Sequence, residues 1–147
     1  MRPRVFSGMQ PTGTIHLGNL LGAFSNWVAM QEEYDCIYCV VDLHAITAPF
    51  DPEEMRSART RLAKAFLAVG VDPDRSLVYR QADVPEHVEL MWLFASVTPM
   101  GWVERTPSFK EKRRHQPDDV NLALFNYPVL QAADIAAETR RVKRMLD

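Results

Sequence analysis

The stretch Phe6 to Asn19 reads F-S-G-M-Q-P-T-G-T-I-H-L-G-N, and its residue types suit the holding of an anion. Gly8, Gly13 and Gly18 let a backbone turn sharply and approach a ligand closely. His16 and Asn19 flank the start of an amphipathic helical pattern. Free N–H groups and a partial positive charge at a helix start favour phosphate oxygens. Gly8 and Gly13 have the spacing of a P-loop, but Thr14-Ile15 stands where Lys-Ser/Thr is required, and no G-x-G-x-x-G occurs. What remains is H-L-G-N after a Gln-Pro-Thr-Gly turn. A glycine-rich βα turn with a capping Asn is the bland alternative.

Three further groups could do chemistry. Gln131 and Asp134 follow Tyr127 at helical spacing, which puts a phenol, an amide and a carboxylate on one side of an otherwise apolar helix. A carboxylate among apolar neighbours suits an indole, whose N–H only donates, and a buried acceptor penalises ligands that lack the donor. A helix carboxylate with no ligand stays open as the alternative. Lys110 and Lys112 sit in a charged run and could stabilise a polyphosphate, or could simply be solvated. Cys36 and Cys39 have C-x-x-C spacing. They fall in a strand pattern, where positions three apart face opposite sides, and no second Cys/His cluster accompanies them. They read as packed core thiols, and no metal ligands are assigned.

These residues need elements to hold them. Arg4 to Ser7 reads as a strand, Gly18 to Glu33 as a helix with Leu20, Leu21, Phe24, Trp27 and Val28 on its apolar face, and Cys36 to Asp42 as a buried strand. Val41 to Thr47 then lies at the strand's C-terminal edge, where open α/β sheets place ligands. Asp51-Pro52-Glu53-Glu54 opens a helix to about Val69, closed by Gly70. Its Arg56, Arg59, Arg61 and Lys64 read as a solvated face. Ser76 to Gln81 is a third strand, and His87 to Val97 another helix. Pro99 to Arg105 reads as a short helix or turn, and Thr106 to Asp119 as a mobile surface loop. Val120 to Phe125 is a short helical piece, and Tyr127-Pro128 starts a new helix. The β-α-β-α-β alternation predicts a doubly wound parallel sheet.

The chain has 147 residues, enough for one domain. It is 47% hydrophobic and 24% charged, as ordinary globular domains are. A net charge of −2 supplies no overall basic field for nucleic acid. No apolar run reaches the roughly 18 residues of a membrane span. Few cysteines and no signal peptide point to the cytoplasm.

His16-Leu17-Gly18-Asn19 resembles the HIGH signature of class I aminoacyl-tRNA synthetases, and the string Ser7 to Asn19 is similar to the opening of the tryptophanyl-tRNA synthetase family. Tyr127 to Ile135 is similar to that family's specificity helix. The resemblance implies a Rossmann-like fold with a HIGH-type nucleotide-binding loop. It puts Gln10, Thr12, His16, Gly18 and Asn19 on the ATP side, and Phe6, Gly8, Val41 and His44 by the tryptophan pocket. It also implies that Asp134 takes the indole nitrogen and Tyr127 lies by the α-ammonium group. Gln131 stands where the family often has Met. Lys110 and Lys112 would approach ATP's phosphates, acting with His16 and Asn19. The activity implied is activation of tryptophan with ATP and transfer to tRNA(Trp), in a homodimer. Mg2+ arrives with ATP, and no permanent cofactor is implied.

The resemblance covers roughly residues 4 to 135. Residues 1–135 are expected to be the N-terminal part of the catalytic domain, and 136–147 a helical tail that does not match the family there. A later G-x-D-Q segment, a Lys-Met-Ser-Lys-Ser loop and a helical anticodon-reading domain do not follow. The expectation is a truncated or internally deleted chain with an exposed sheet edge, marginal stability and self-association. Two alternatives stay open: a non-catalytic remnant that binds tryptophan or ATP or pairs with a synthetase, and a tyrosine-specific relative.

Overall fold

The computed structural model describes residues 2–138. The tail expected over 136–147 therefore falls, beyond Glu138, outside the described residues. Length alone predicts one domain, but the chain forms two compact units. One is Met1–Ala45 with Phe50–Asp83; the other is Ile46–Pro49 with the chain from Val84 onward.

The first unit is built on three parallel strands, β1 (Arg4–Met9), β2 (Asp35–Val40) and β3 (Ser76–Arg80), in the order β1-β2-β3. This is a βαβαβ half of a Rossmann-like sheet. Between β1 and β2 the chain runs through α1 (Leu17–Asn19), a π-helical segment (Leu20–Phe24) and α2 (Ser25–Met30). Between β2 and β3 it runs through α3 (Asp42–Ala45) and α4 (Pro52–Ala68). Asp51 caps α4 by accepting from the Glu54 N–H, and Pro52 opens the first turn. Met55, Ala58, Leu62 and Phe66 form the buried stripe of α4.

The core gathers Phe24, Trp27, Cys36, Tyr38, Val40, Leu62, Phe66 and Val71. Trp27 stacks on Tyr38 with centroids 4.6 Å apart, and Phe66 meets Trp27 edge-on at 5.1 Å. The Tyr38 hydroxyl donates to the Trp27 carbonyl at 2.7 Å, and burial pushes its pKa up. Cys36 belongs to this face; Cys39 is buried on the opposite one, and both are reduced thiols.

The first helical run departs from its sequence reading. Phe24 and Trp27 are buried, but Leu20 and Leu21 are exposed. The π segment adds a residue to a turn and rotates the face, so the 3.6-residue spacing fails there. Ser25 reinforces it by donating from its hydroxyl to the Leu20 carbonyl at 2.8 Å.

The second unit comprises α5 (Glu86–Val97), α6 (Met100–Arg105), α7 (Pro107–His115) and α8 (Leu122–Ala137). The mobile loop expected over Thr106 to Asp119 is instead largely α7. Thr106 caps it by accepting from the Phe109 N–H, Pro107 opens it, Phe109 is buried, and its last turn is basic. The two helical pieces expected on either side of Tyr127 are one helix, α8. Asn121 caps it, and Pro128 lies inside it. Leu90 on α5 and Ala133 on α8 form a small core with Met91, Phe94, Ala136 and Ala137. Among the described residues, no helix is long and apolar enough to cross a membrane.

Gln31, only 2% exposed, ties the first unit's loops together. Its amide donates to the carbonyls of Gly70 (3.0 Å) and Val28 (3.3 Å), and its oxygen accepts from the Asp72 N–H (2.7 Å) and the Ser76 hydroxyl (2.9 Å). Gln31→Leu would fill the space but leave these groups unmet. It should lower stability by about 2–4 kcal/mol, read as a lower urea midpoint at unchanged m-value.

Candidate functional site

The loop after β1 is ordered by the residues of H-L-G-N themselves. The Asn19 side-chain oxygen accepts from the His16 N–H at 2.9 Å, and His16 Nδ1 accepts from the Gly18 N–H at 3.1 Å. This reciprocal cap is a capping box at the start of α1. Gly18 is required for it, because a Cβ there would stand 2.9 Å from the folded-back His16 ring. With Nδ1 and the amide oxygen used internally, His16 Nε2 and Asn19 Nδ2 are the atoms left to face a ligand. Beside this cap lies a cavity of about 260 Å³ lined by Gln10, Thr12, Gly13, Asn19, Arg61 and their apolar neighbours. His16 and Gly18 are exposed at the helix start rather than in its wall.

Phe6, Gly8 and Val41 share the sheet face opposite the aromatic core. Phe6 pairs with Ile37 and Gly8 with Cys39 in the parallel register. A Cβ on Gly8 would lie 2.6 Å from Val41 Cγ1, so only glycine admits Val41 there. His44 is buried in α3. Just past β2, Asp42 is 1% exposed. Its Oδ1 accepts from the Ala82 N–H at 3.1 Å, and its Oδ2 faces Arg59 Nε at 3.2 Å and Arg80 Nε at 3.8 Å. Arg59 is therefore part of a partly buried ion-pair cluster, and Arg61 pairs with Glu54 at the cavity wall. The solvated reading holds for Arg56, Arg61 and Lys64, which are exposed, and is corrected for Arg59, which turns to the buried Asp42.

In the second unit Lys112 and Tyr127 come together. Lys112 Nζ lies 4.3 Å from the Tyr127 ring centroid and 3.2 Å from the Thr47 hydroxyl. The Thr47 carbonyl accepts from Gln116 and Asn121, which fastens the α7–α8 connection. Burial holds the Lys112 ammonium below the usual lysine pKa. A wholly solvated charge run thus describes Lys110, which is exposed, and not Lys112. On α8, Tyr127 and Asp134 are buried; Gln131, on the same side by spacing, is exposed. Asp134 is 2% exposed, and its Oδ1 lies 3.0 Å from His87 Nδ1 on α5.

The structure thus groups the predicted residues by unit. Gln10, Thr12, His16, Gly18 and Asn19 gather at one loop, with Phe6, Gly8, Val41 and His44 in the same unit. Lys110, Lys112, Tyr127, Gln131 and Asp134 belong to the other. Sequence reasoning missed Arg61, Thr47 and His87. His87 had a usable signal: with Leu90, Met91 and Phe94 it keeps helical spacing, so a polar residue occupies the buried stripe of α5.

A family model described as tRNA synthetases class I (W and Y) matches residues 1–143. A tryptophan–tRNA ligase of Gloeobacter violaceus is 54% identical over 132 residues, which cover 90% of this chain and 39% of that protein. Among solved structures, tryptophanyl-tRNA synthetase of Campylobacter jejuni complexed with ADP and tryptophan superposes with a TM-score of 0.85 at 40% identity, covering 90% of this chain and 41% of that one. Tyrosyl-tRNA synthetase of Archaeoglobus fulgidus complexed with L-tyrosine gives a TM-score of 0.77 at 25% identity, covering 92% and 43%. The chain spans about two fifths of the length of the curated relatives it matches.

Lys112 sets a pH-dependent cost. With the folded pKa depressed, the unfolded chain binds more protons between that pKa and the ordinary lysine value near 10.4. The penalty is full below this window and vanishes above it. Stability of the wild type relative to Lys112→Met should therefore rise as pH climbs through the window; paired urea titrations from pH 7 to 10.5 would show a flat difference if Lys112 is unperturbed.

Proposed function

We propose that this chain, which belongs to the class I tRNA synthetases of the tryptophan and tyrosine type, carries the amino-acid-activating part of a tryptophan–tRNA ligase. The observation that carries the reading is the buried Asp134 carboxylate on the α8 side that also bears Tyr127. A buried carboxylate selects a ligand that brings a donor into an apolar setting, which an indole N–H does. Tyr127 serves the α-ammonium group and Gln131 is assigned to the same substrate from α8; in the first unit, Phe6, Gly8, Val41 and His44 are the residues assigned to the amino acid.

In the reaction, the tryptophan carboxylate attacks the α-phosphorus of ATP, forming the mixed anhydride tryptophanyl-adenylate and expelling pyrophosphate. Mg2+ is part of the ATP substrate. The chain's own groups position and stabilise charge and form no covalent bond to substrate. Gln10, Thr12 and Gly18 line the nucleotide's approach, while His16 Nε2 and Asn19 Nδ2 donate to phosphate oxygens. Lys110 and Lys112 neutralise charge on the departing pyrophosphate, Lys112 moving from its place over Tyr127 to do so. Transfer to tRNA(Trp) follows in the cytoplasm.

The likeness to a tyrosyl enzyme favours one second reading, a tyrosine-specific relative. Tryptophan-dependent ATP–pyrophosphate exchange tests both. Exchange with tryptophan that tyrosine does not support, cut on the order of a hundredfold by Asp134→Ala, is expected. Exchange with tyrosine in preference favours the second reading. No exchange by a folded chain would leave a non-catalytic binding remnant.

The assembly proposed is a homodimer through α5 and α6. Leu90 faces α8 on one side of α5, while Val88, Trp92, Leu93 and Val97 are exposed on the rest, followed by Met100 and Trp102 on α6. Apolar surface this extensive needs a second cover, and an isologous partner supplies it. Sedimentation at micromolar concentration should give a dimer, and Trp92→Glu with Val97→Glu a monomer; a monodisperse wild-type monomer contradicts the assembly.

A further inference from the structure

We infer that His87 is a positioning residue for amino-acid selection: it holds the Asp134 carboxylate in place as an acceptor for an aromatic N–H. The inference rests on the reading of Asp134 given above and extends it to a residue on a different helix.

His87 is fully buried, with 0% exposure, on the stripe of α5 that otherwise carries Leu90, Met91 and Phe94. An aliphatic side chain would suit that stripe without the cost of burying a polar ring. What distinguishes the position is what the ring faces. Nδ1 lies 3.0 Å from Asp134 Oδ1, and Nε2 lies 3.9 Å from Glu138 Oε1. The Nδ1 contact is at ion-pair distance but off the hydrogen-bond direction. Asp134 and Glu138 are one helical turn apart on α8, so the ring presents a nitrogen to each of two successive carboxylates. A carboxylate accepts and cannot donate, and each ring nitrogen therefore has an acceptor beside it.

Asp134 needs such a neighbour. A carboxylate only 2% exposed has surrendered most of its water, and a buried charge demands a polar partner close by. With Oδ1 beside His87 Nδ1, turning the carboxyl group away would separate the two, so the contact favours one orientation of the acceptor. A ligand donor then meets an acceptor already oriented, so its binding does not have to supply the ordering. The α5–α8 pair thereby does two things: its apolar residues seal the interface, and its one histidine aims the carboxylate.

The test measures discrimination rather than affinity alone. Isothermal calorimetry on the full chain compares tryptophan with 3-benzothienylalanine, in which sulfur replaces the indole N–H. His87→Leu should weaken tryptophan binding about tenfold and leave the sulfur analogue within about twofold, so the preference collapses. His87→Asn, which keeps a donor at the Nδ1 position, should retain most of the preference. If His87→Leu does not fold, His87→Asn against His87→Gln carries the comparison, because Gln moves the donor toward Nε2; Asn should keep the preference and Gln lose it. An unchanged preference in the variants that lose the Nδ1 donor, or equal weakening of both ligands, overturns the inference and leaves His87 a packing residue. A folded wild type that does not prefer tryptophan over the analogue overturns the reading of Asp134 itself, and the inference with it.

Discussion

Strand β2 has a neighbour on each side and side chains buried on both faces, and the first unit follows from that constraint. Alternation sends Cys36, Tyr38 and Val40 to the aromatic core with Phe24, Trp27 and Phe66. It sends Ile37 and Cys39 to the other face, where Phe6 and Gly8 of β1 stand beside them. A slip of one residue would exchange the two sets, so the register is tightly specified. The same alternation delivers Val41 onto Gly8, and the chain then turns into α3 at Asp42. That buried carboxylate joins three elements at the carboxyl ends of the strands: Ala82 after β3, Arg80 on β3 and Arg59 on α4. The loop residues credited with nucleotide binding grow from this same end of the sheet.

Much of the fold was legible because its elements obey single, local rules. β2 reads as an unbroken apolar run; α4 announces itself with Asp51, Pro52 and Glu54; α5 is bounded by Pro85 and Pro99. The failures occurred where two rules competed. In Leu20–Phe24 the apolar spacing was right for an α-helix, but a π-turn altered the phase. In Thr106 to Asp119 the charge of Lys110 to Arg114 outweighed a capping threonine, an N1 proline and one buried phenylalanine, although those three made the helix. At Pro128 the usual helix-breaking role gave way to an interior position, since Asn121 had already started α8 and the lost hydrogen bond is a single one. Gln31, Asp42 and His87 could not be assigned roles at all from sequence, because each is defined by partners tens of residues away or on another element.

The candidate site shows the same division. His16, Gly18 and Asn19 were readable as a unit, but the structure changes the reason for their spacing. The histidine and asparagine cap each other's backbone, and the glycine makes room for the ring. The motif is thus a folding device before it is a binding one, and its ligand-facing atoms are the remaining ring nitrogen and amide nitrogen. A conservative change at Asn19 would cost the helix start as well as any contact of its Nδ2 with a ligand, so the two losses cannot be separated by that residue alone.

Selection of the amino acid is attributed to different parts. The loop residues His16, Gly18 and Asn19 depend on a cap closed within Phe6 to Asn19 and on the sheet beneath it, all in the first unit. The acceptor Asp134 depends on α8 and on the α5 residue facing it, all in the second. On the proposed reading, a substitution on α5 or α8 alters which aromatic side chain is accepted without opening the H-L-G-N cap, and a change in the loop weakens nucleotide binding without touching the α5–α8 pair.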